Sequence, residues 1–207
     1  MNDNDSKYMP RFSFYERVVH WTVALSFIYL MLTGLALWSP RLYWLAAVMG
    51  GGETVRAWHP WCGVIFSVAL GLMFLMWVRH MLLDKDDRRW LRQAHKYALR
   101  DDADLPEPGR FNGGQKMLFW VQCLLAVLLL ASGYVLWWPE AMPQSWRLAS
   151  VVIHPVSAVL SICGLIVHFY MATLAMPGTL RGMVRGTVDR GWAKTHHPKW
   201  YRDNSER

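Results

Sequence analysis

The 207 residues are 54% hydrophobic at a mean hydropathy of only +0.12, so apolar side chains must be gathered in some stretches and scarce in others. The 13 Trp, 8 Tyr and 8 Phe exclude a disordered chain, which lacks the large apolar side chains that drive burial. A net charge of +7 at a pI near 9.5 would, in a soluble protein, suggest an acidic partner such as nucleic acid, so the question is where those charges sit.

In chain order, a polar segment 1–17 leads into a first apolar run, 18–38. A short loop, 39–59, a second run, 60–78, and a long polar segment, 79–116, follow. The third run, 117–138, is joined by the short loop 139–150 to the fourth, 151–176, and the chain closes in a basic tail, 177–207. None of the four runs contains Asp, Glu, Lys or Arg. Each has about the 20 apolar residues that a helix needs to cross a bilayer. The sequence therefore predicts an all-α integral membrane protein, a four-transmembrane-helix bundle in one domain over 1–207. Of the 22 Lys and Arg, 19 fall in the first segment, the middle loop and the tail, against 3 in the two short loops. Basic residues favour the cytoplasmic face, so both termini, the loop 79–116 and the tail 177–207 are expected there, in a bacterial inner membrane. The charge is thus a sign of orientation; lipid is the expected surrounding, and nucleic acid is not an expected partner. Trp38, Trp44, Trp58, Trp61, Trp137, Trp138 and Trp146 gather at the outer span ends, where amphipathic rings meet the lipid–water boundary. The first apolar run is of full span length, so the first helix is expected to remain as an anchor rather than be cleaved as a signal.

Four of the eight histidines, His20, His59, His154 and His168, lie in or at the ends of spans, where an ionisable group is costly and marks a function. In the predicted orientation, His20 and His168 share the cytoplasmic depth, and His59 and His154 the outer depth. His154 and His168 are 14 residues apart, which places both on nearly one helix face at an axial separation of about 21 Å. That is too far to share one ion, and suits two porphyrin planes, each held by a pair of neutral imidazoles. Two axial histidines leave iron no open position and favour electron transfer over oxygen chemistry. The alternative is a structural or proton-relay role. His80 reads as interfacial with a minor proton-uptake alternative, His95 as solvated, and His196 and His197 as solvated or partner-facing members of a basic tail, with metal binding the lesser alternative.

Smaller signals accompany these. His59-Pro60 and His154-Pro155 repeat a His-Pro pair at the expected outer start of two helices, where a missing proline N–H costs little. Gly34 and Gly133, in Thr33-Gly34 and Ser132-Gly133, remove bulk either for close helix packing or for a porphyrin edge, and Gly63 is similar. Cys62, Cys123 and Cys163 lie in apolar runs without C-x-x-C spacing, which argues against a local iron–sulfur motif and covalent c-type haem attachment and leaves packing thiols. Neither a Walker A loop nor a G-x-G-x-x-G fingerprint occurs.

The runs RVVHW at 17–21 with Thr33-Gly34, His59-Pro60, GRFNGGQKMLFW at 109–120, Ile153-His154, VHFYMA at 167–172 and GWAKTHHPKWY at 191–201 cover nearly the whole chain. On these the sequence resembles the cytochrome b (gamma) subunit of membrane-bound formate dehydrogenases, and more distantly the b-type cytochromes of nickel–iron hydrogenases. The histidines by themselves point to a dihaem cytochrome; the formate dehydrogenase assignment rests on the FNGGQK and WAKTHHPKWY runs. The resemblance implies two haem b, His59 and His154 as iron ligands of the outer one and His20 and His168 of the inner one. It also implies a quinone site at Asn112 and Gly114, near the His168 haem, with Gln115 a nearby second amide. Gly113 stands where the resemblance leads one to expect alanine.

The implied function is that of a membrane subunit of anaerobic respiration. It anchors a molybdenum- or tungsten-containing catalytic alpha subunit and an iron–sulfur beta subunit on the periplasmic side. It then passes their electrons inward to menaquinone or ubiquinone. Formate oxidation would occur on another subunit. Alternatives are a cytochrome b serving a hydrogenase or other periplasmic oxidoreductase, a haem-free anchor or scaffold, and a stand-alone quinol-oxidising cytochrome.

Overall fold

The computed structural model describes residues 7–98 and 105–205. Four long helices carry the architecture: α1 (Phe14–Trp38), α3 (Gly52–Trp77), α6 (Gly113–Trp137) and α7 (Gln144–Tyr170). A 3₁₀ turn at Val78–His80 prolongs α3, and a π-helical turn at Met171–Ala175 prolongs α7. The shorter helices are α2 (Trp44–Val48), α4 (Lys85–Arg92), α5 (Ala94–Ala98), α8 (Thr179–Arg185), α9 (Arg190–His196) and α10 (Pro198–Ser205). Strands β1 (Tyr8–Pro10) and β2 (Thr187–Asp189) pair antiparallel, with Met9 opposite Val188.

All four long helices are long and apolar enough to cross a membrane, and only 11% to 22% of their most apolar windows is buried within the protein. Leu25, Val68, Leu75, Leu124, Val127 and Ile166 are exposed. In water such surface would cost roughly 25 cal/mol per Å², and soluble proteins rarely display contiguous apolar patches of this kind. Against lipid the cost disappears. Multi-pass insertion is what this composition of surface requires.

The four long helices begin earlier than the apolar runs, and at α1 a polar cap accounts for it. At α1, Ser13 N–H donates to Glu16 Oε2 (2.8 Å) and Glu16 N–H to Ser13 Oγ (3.3 Å), a reciprocal box that satisfies first-turn donors. α3 starts at Gly52 and α7 at Gln144, so Pro60 and Pro155 lie inside their helices. This corrects the expectation that the His-Pro pairs open helices at little cost. Each proline instead removes an interior i→i−4 bond, taking away the helical donor to the carbonyls of Arg56 and Val151.

The chain forms two compact units. One comprises Val18–Leu75 and Gln122–His168. Here Phe27 meets Phe66 at 5.7 Å and the Cys62 thiol donates to Ser26 O, joining α1 to α3. Trp61 meets Trp137 edge-on at 5.1 Å, joining α3 to α6, and Gln122 Nε2 donates to Ser161 O (3.1 Å), joining α6 to α7. Small residues line part of the interior: Ser26, Thr33, Ala36, Ser132, Ser157 and Ser161 are all buried. Small residues let backbones approach where lipid supplies no hydrophobic drive between helices. Ser26, Thr33 and Ser132 each donate to the carbonyl four residues back, at 2.6 to 2.7 Å, so these hydroxyls enter the bundle satisfied.

The other unit gathers the described residues of Met1–Arg17, Met76–Val121 and Phe169–Arg207. Met9, Val188, Trp192, Ala193 and Trp200 form one apolar core cluster in it. The β1–β2 ribbon adds to the all-helical reading. Three residues of the N-terminal arm pair with three far along the chain, a non-local contact without any local period. Gly186, at φ +79°, turns the chain from α8 into β2, a conformation glycine adopts without Cβ strain.

Candidate functional site

The structure brings the four span histidines together in two pairs. The rings of His20 (α1) and His168 (α7) have centroids 6.2 Å apart at an interplanar angle of 46°, and those of His59 (α3) and His154 (α7) are 6.3 Å apart at 67°. Metal–imidazole bonds run about 2 Å, so two rings on opposite sides of one ion have centroids roughly 6 Å apart. Both pairs meet that spacing. Among the described residues no group of three or more His, Cys, Asp or Glu is arranged to hold a metal ion. Two imidazoles alone under-coordinate a bare ion, whereas a macrocycle that brings its own equatorial nitrogens needs only two axial ligands.

The pairs differ in what holds them. Thr33 Oγ1 lies 2.7 Å from His59 Nδ1, and Ser132 Oγ lies 2.9 Å from His154 Nδ1. Each hydroxyl has one proton, and it is already given to a helix carbonyl, Tyr29 O at 2.7 Å and Leu128 O at 2.6 Å. The hydroxyl oxygen must therefore accept from Nδ1–H. That fixes the tautomer, and both Nε2 atoms carry the lone pair a metal takes. His20 Nδ1, by contrast, is buried with no hydrogen-bond partner among the described residues. His20, His59 and His154 are half-buried, and His168 is exposed.

A Cβ built on Gly34 would stand 3.4 Å from His59 Cε1, and one on Gly133 would stand 3.1 Å from His154 Cε1. The nearest group that these glycines admit is thus the imidazole edge itself. A Cβ on Gly63 would meet nothing within 4 Å among the described residues. The neighbouring Thr33 and Ser132 escaped sequence reasoning as functional residues. Their signal was the repeated hydroxyl–glycine pair, which acquires meaning only once the facing helix is known.

Asn112, Gly114 and Gln115 stand at the start of α6. Asn112 N–H donates to Gln115 Oε1 (3.0 Å) and Gln115 N–H to Asn112 Oδ1 (2.9 Å), so the two amides form a capping box, with Asn112 6% exposed. The caps use the side-chain oxygens, and the amide NH₂ groups are the donor type that a carbonyl ligand accepts. Gly113 and Gly114 lie beneath Trp90 of α4, where an added Cβ on either would stand 3.0 Å from the indole. The α4 start is itself a box: Asp87 N–H donates to Asp84 Oδ1 (2.8 Å) and Asp84 N–H to Asp87 Oδ2 (2.9 Å). The first of these bonds, followed by the Lys116 charge, holds the Asp84 carboxyl below its ordinary range despite partial burial. Buried Lys116 reaches Asp87 at 2.5 Å and Leu82 O at 3.2 Å. A cavity of about 120 Å³ opens beside these groups, lined by His80, Asp84, Asp87, Arg110, Asn112 and Lys116.

His197 corrects the solvated, partner-facing reading of the tail: it is 3% exposed. Arg11 Nη2 donates to its Nε2 (3.0 Å), and its Nδ1–H donates to Gly109 O (2.7 Å). Burial first, then the Arg11 charge, pushes its pKa down to about 3. Arg11 also donates to Arg110 O (2.9 Å) and is sandwiched by Trp192 and Trp200, whose rings lie 4.9 and 4.7 Å from the guanidinium carbon. Burial and then Arg110 lower its pKa to about 9, and it stays charged at neutral pH. The tail run thus cages Arg11 and pins the backbone of Gly109 and Arg110, two residues ahead of the α6 cap. His95 is exposed, as expected, and His196 packs against Trp192 at 5.3 Å.

Comparison with known proteins identifies the family and relatives of the chain. Residues 11–186 match the family described as prokaryotic cytochrome b561. The nitrate-inducible formate dehydrogenase cytochrome b556(Fdn) subunit of Escherichia coli (strain K12) is 35% identical over 201 residues, covering 96% of this chain and 92% of that protein. The formate dehydrogenase cytochrome b556(fdo) subunit of the same organism is 36% identical over 197 residues, covering 93% and 92%. The formate dehydrogenase cytochrome b556 subunit of Haemophilus influenzae is 33% identical over 190 residues, covering 90% and 79%.

Proposed function

The chain belongs to the prokaryotic cytochrome b561 family, and on that premise we propose that it is the dihaem cytochrome b subunit of a respiratory formate dehydrogenase. The observation that carries the reading is the two histidine pairs, at 6.2 and 6.3 Å. His59 and His154 hold the outer haem b and His20 and His168 the inner one. The whole of 1–207 serves as one membrane cytochrome domain. When bound, the haems would supply one-electron redox chemistry.

The protein's own contribution is to hold, orient and exclude. Neutral imidazoles present Nε2 lone pairs, and the small inner faces of α1 and α6 let the rings of His59 and His154 approach. The basic asymmetry sets both termini in the cytoplasm of a bacterium, with the outer pair toward the periplasm. An iron–sulfur subunit and a molybdenum- or tungsten-containing subunit dock on the periplasmic side, where formate is oxidised. Two electrons cross inward and, with two protons taken from the cytoplasm, convert one quinone to quinol. Asn112, Gly114 and Gln115 receive the quinone, the amide NH₂ groups donating to its carbonyl. His80, Asp84 and Asp87, on the cavity beside Asn112, are suited to carry the protons in. Each electron that traverses the full membrane potential represents about 2.3 kcal/mol per 100 mV.

Purification of the tagged chain from native membranes tests this reading. The expected result is co-purification of both partner subunits, b-type absorption that formate reduces, and transfer of those electrons to added quinone. Hydrogenase subunits in place of the formate-oxidising ones, with reduction by hydrogen and not by formate, would overturn the assignment of partner.

A further inference from the structure

We propose that Thr33 and Ser132 are positioning residues that lower the reduction potential of the iron held by His59 and His154 below that of the iron held by His20 and His168. The inference rests on the dihaem reading and deepens it. Thr33, on α1, and Ser132, on α6, approach one histidine pair from two different helices and make the same contact, hydroxyl oxygen to Nδ1, at 2.7 and 2.9 Å. Each is followed by the glycine that admits the same ring's Cε1 edge. Thr33 is 0% and Ser132 4% exposed, so water does not compete for either hydroxyl.

An acceptor on Nδ1–H makes an imidazole more electron-rich at Nε2, and a more basic axial ligand favours ferric over ferrous iron. Because each hydroxyl proton is already given to a carbonyl, to Tyr29 O or Leu128 O, the oxygen is polarised toward accepting. Both ligands of the pair gain this push. At the other pair, His20 Nδ1 is buried without a partner among the described residues, so its ring lacks the corresponding push. The difference orders the two sites: electrons entering at His59 and His154 move downhill toward His20 and His168. A hydroxyl that merely satisfied its own helix would have no need to face an imidazole. The same arrangement on two helices, each with its adjacent glycine, points to the ring as the target.

The test is a redox titration of the haem absorption in the purified complex, with Thr33→Val, Ser132→Ala, Thr33→Ser and Ser132→Thr beside the unmodified protein. His59→Ala assigns the components. The expected result is that the lower-potential component of the unmodified complex is the one absent from His59→Ala. Thr33→Val and Ser132→Ala each shift that component upward and leave the other in place, at unchanged haem content. Thr33→Ser and Ser132→Thr, which keep the acceptor, titrate like the parent. Potentials unmoved in Thr33→Val and Ser132→Ala at full haem content would overturn the proposal, as would equal shifts in the hydroxyl-retaining variants. Survival of the lower component in His59→Ala would overturn it too, and that result stands even if Thr33→Val loses its haem. An unmodified complex with no haem absorption would sink the dihaem reading itself, which separates the two failures.

Discussion

At the scale of single residues, the polar unit is held by charges that have left water and therefore depend on their partners. Lys116 and Asp87 are both buried, at 9% and 7% exposure, and 2.5 Å apart. Removing one member of such a pair strands the other. Lys116→Met is expected to cost about 3 kcal/mol, the usual penalty for an unpaired buried charge, read as faster amide exchange over α4 and the α6 start. His197 gives a pH signature. Its folded pKa, near 3, lies below the ordinary value of 6.5, so in that window the unfolded tail binds the proton and the folded one does not. Docking of the tail is complete above pH 6.5 and weakens as pH falls toward 3, with protonation of His197 opposed by Arg11 and His196. Tryptophan fluorescence from Trp192 and Trp200 should follow that loss, and His197→Gln should flatten it. Burial of His197 was not legible in the sequence, because Lys194, His196 and Lys199 around it read as a solvated basic tail. The usable signal was the aromatic pair Trp192 and Trp200, which are out of place in such a tail unless they cover something.

At the scale of elements, the starts of α1, α4 and α6 are set by reciprocal caps, and at α1 and α6 these explain why the helix starts ahead of its apolar run. Ser13 with Glu16, Asp84 with Asp87, and Asn112 with Gln115 all have the spacing of a capping box. Each third residue or its neighbour also reaches outward: Glu16 accepts from Arg110 (2.6 Å) and from Trp77 Nε1 (2.7 Å), and Lys116, after Gln115, reaches Asp87. The spans were read from their lack of charge, and a search for apolar residues stops where a polar cap begins. The capping role of Asn112 and its proposed role toward quinone are separable on these grounds. Asn112→Asp keeps an acceptor for the Gln115 N–H but removes the amide donor, so it should leave the α6 start intact while slowing quinone reduction. Asn112→Ala removes both, and is expected to cost about 1 kcal/mol at the helix start in addition to the kinetic loss. Equal quinone kinetics in Asn112→Asp and the parent would remove Asn112 from the quinone site.

At the scale of the whole molecule, four apolar helices are a scaffold for two ring pairs. The pairs were legible in the sequence because a span histidine has a depth, and depth with orientation leaves few partners. His154 and His168, 14 residues apart on one helix, gave α7 a share in each pair. What the sequence withheld was lateral: which helix faces which. Without it, Thr33 and Ser132 were only neighbours of useful glycines. The proposed function depends above all on each pair holding its own haem, and haem stoichiometry per chain in the purified complex measures that without intermediate steps. Two haem b are expected per unmodified chain and one in His59→Ala or His154→Ala, with the component assigned to His20 and His168 retained. A single haem per unmodified chain, or loss of both from a His59→Ala protein that still assembles, would contradict it.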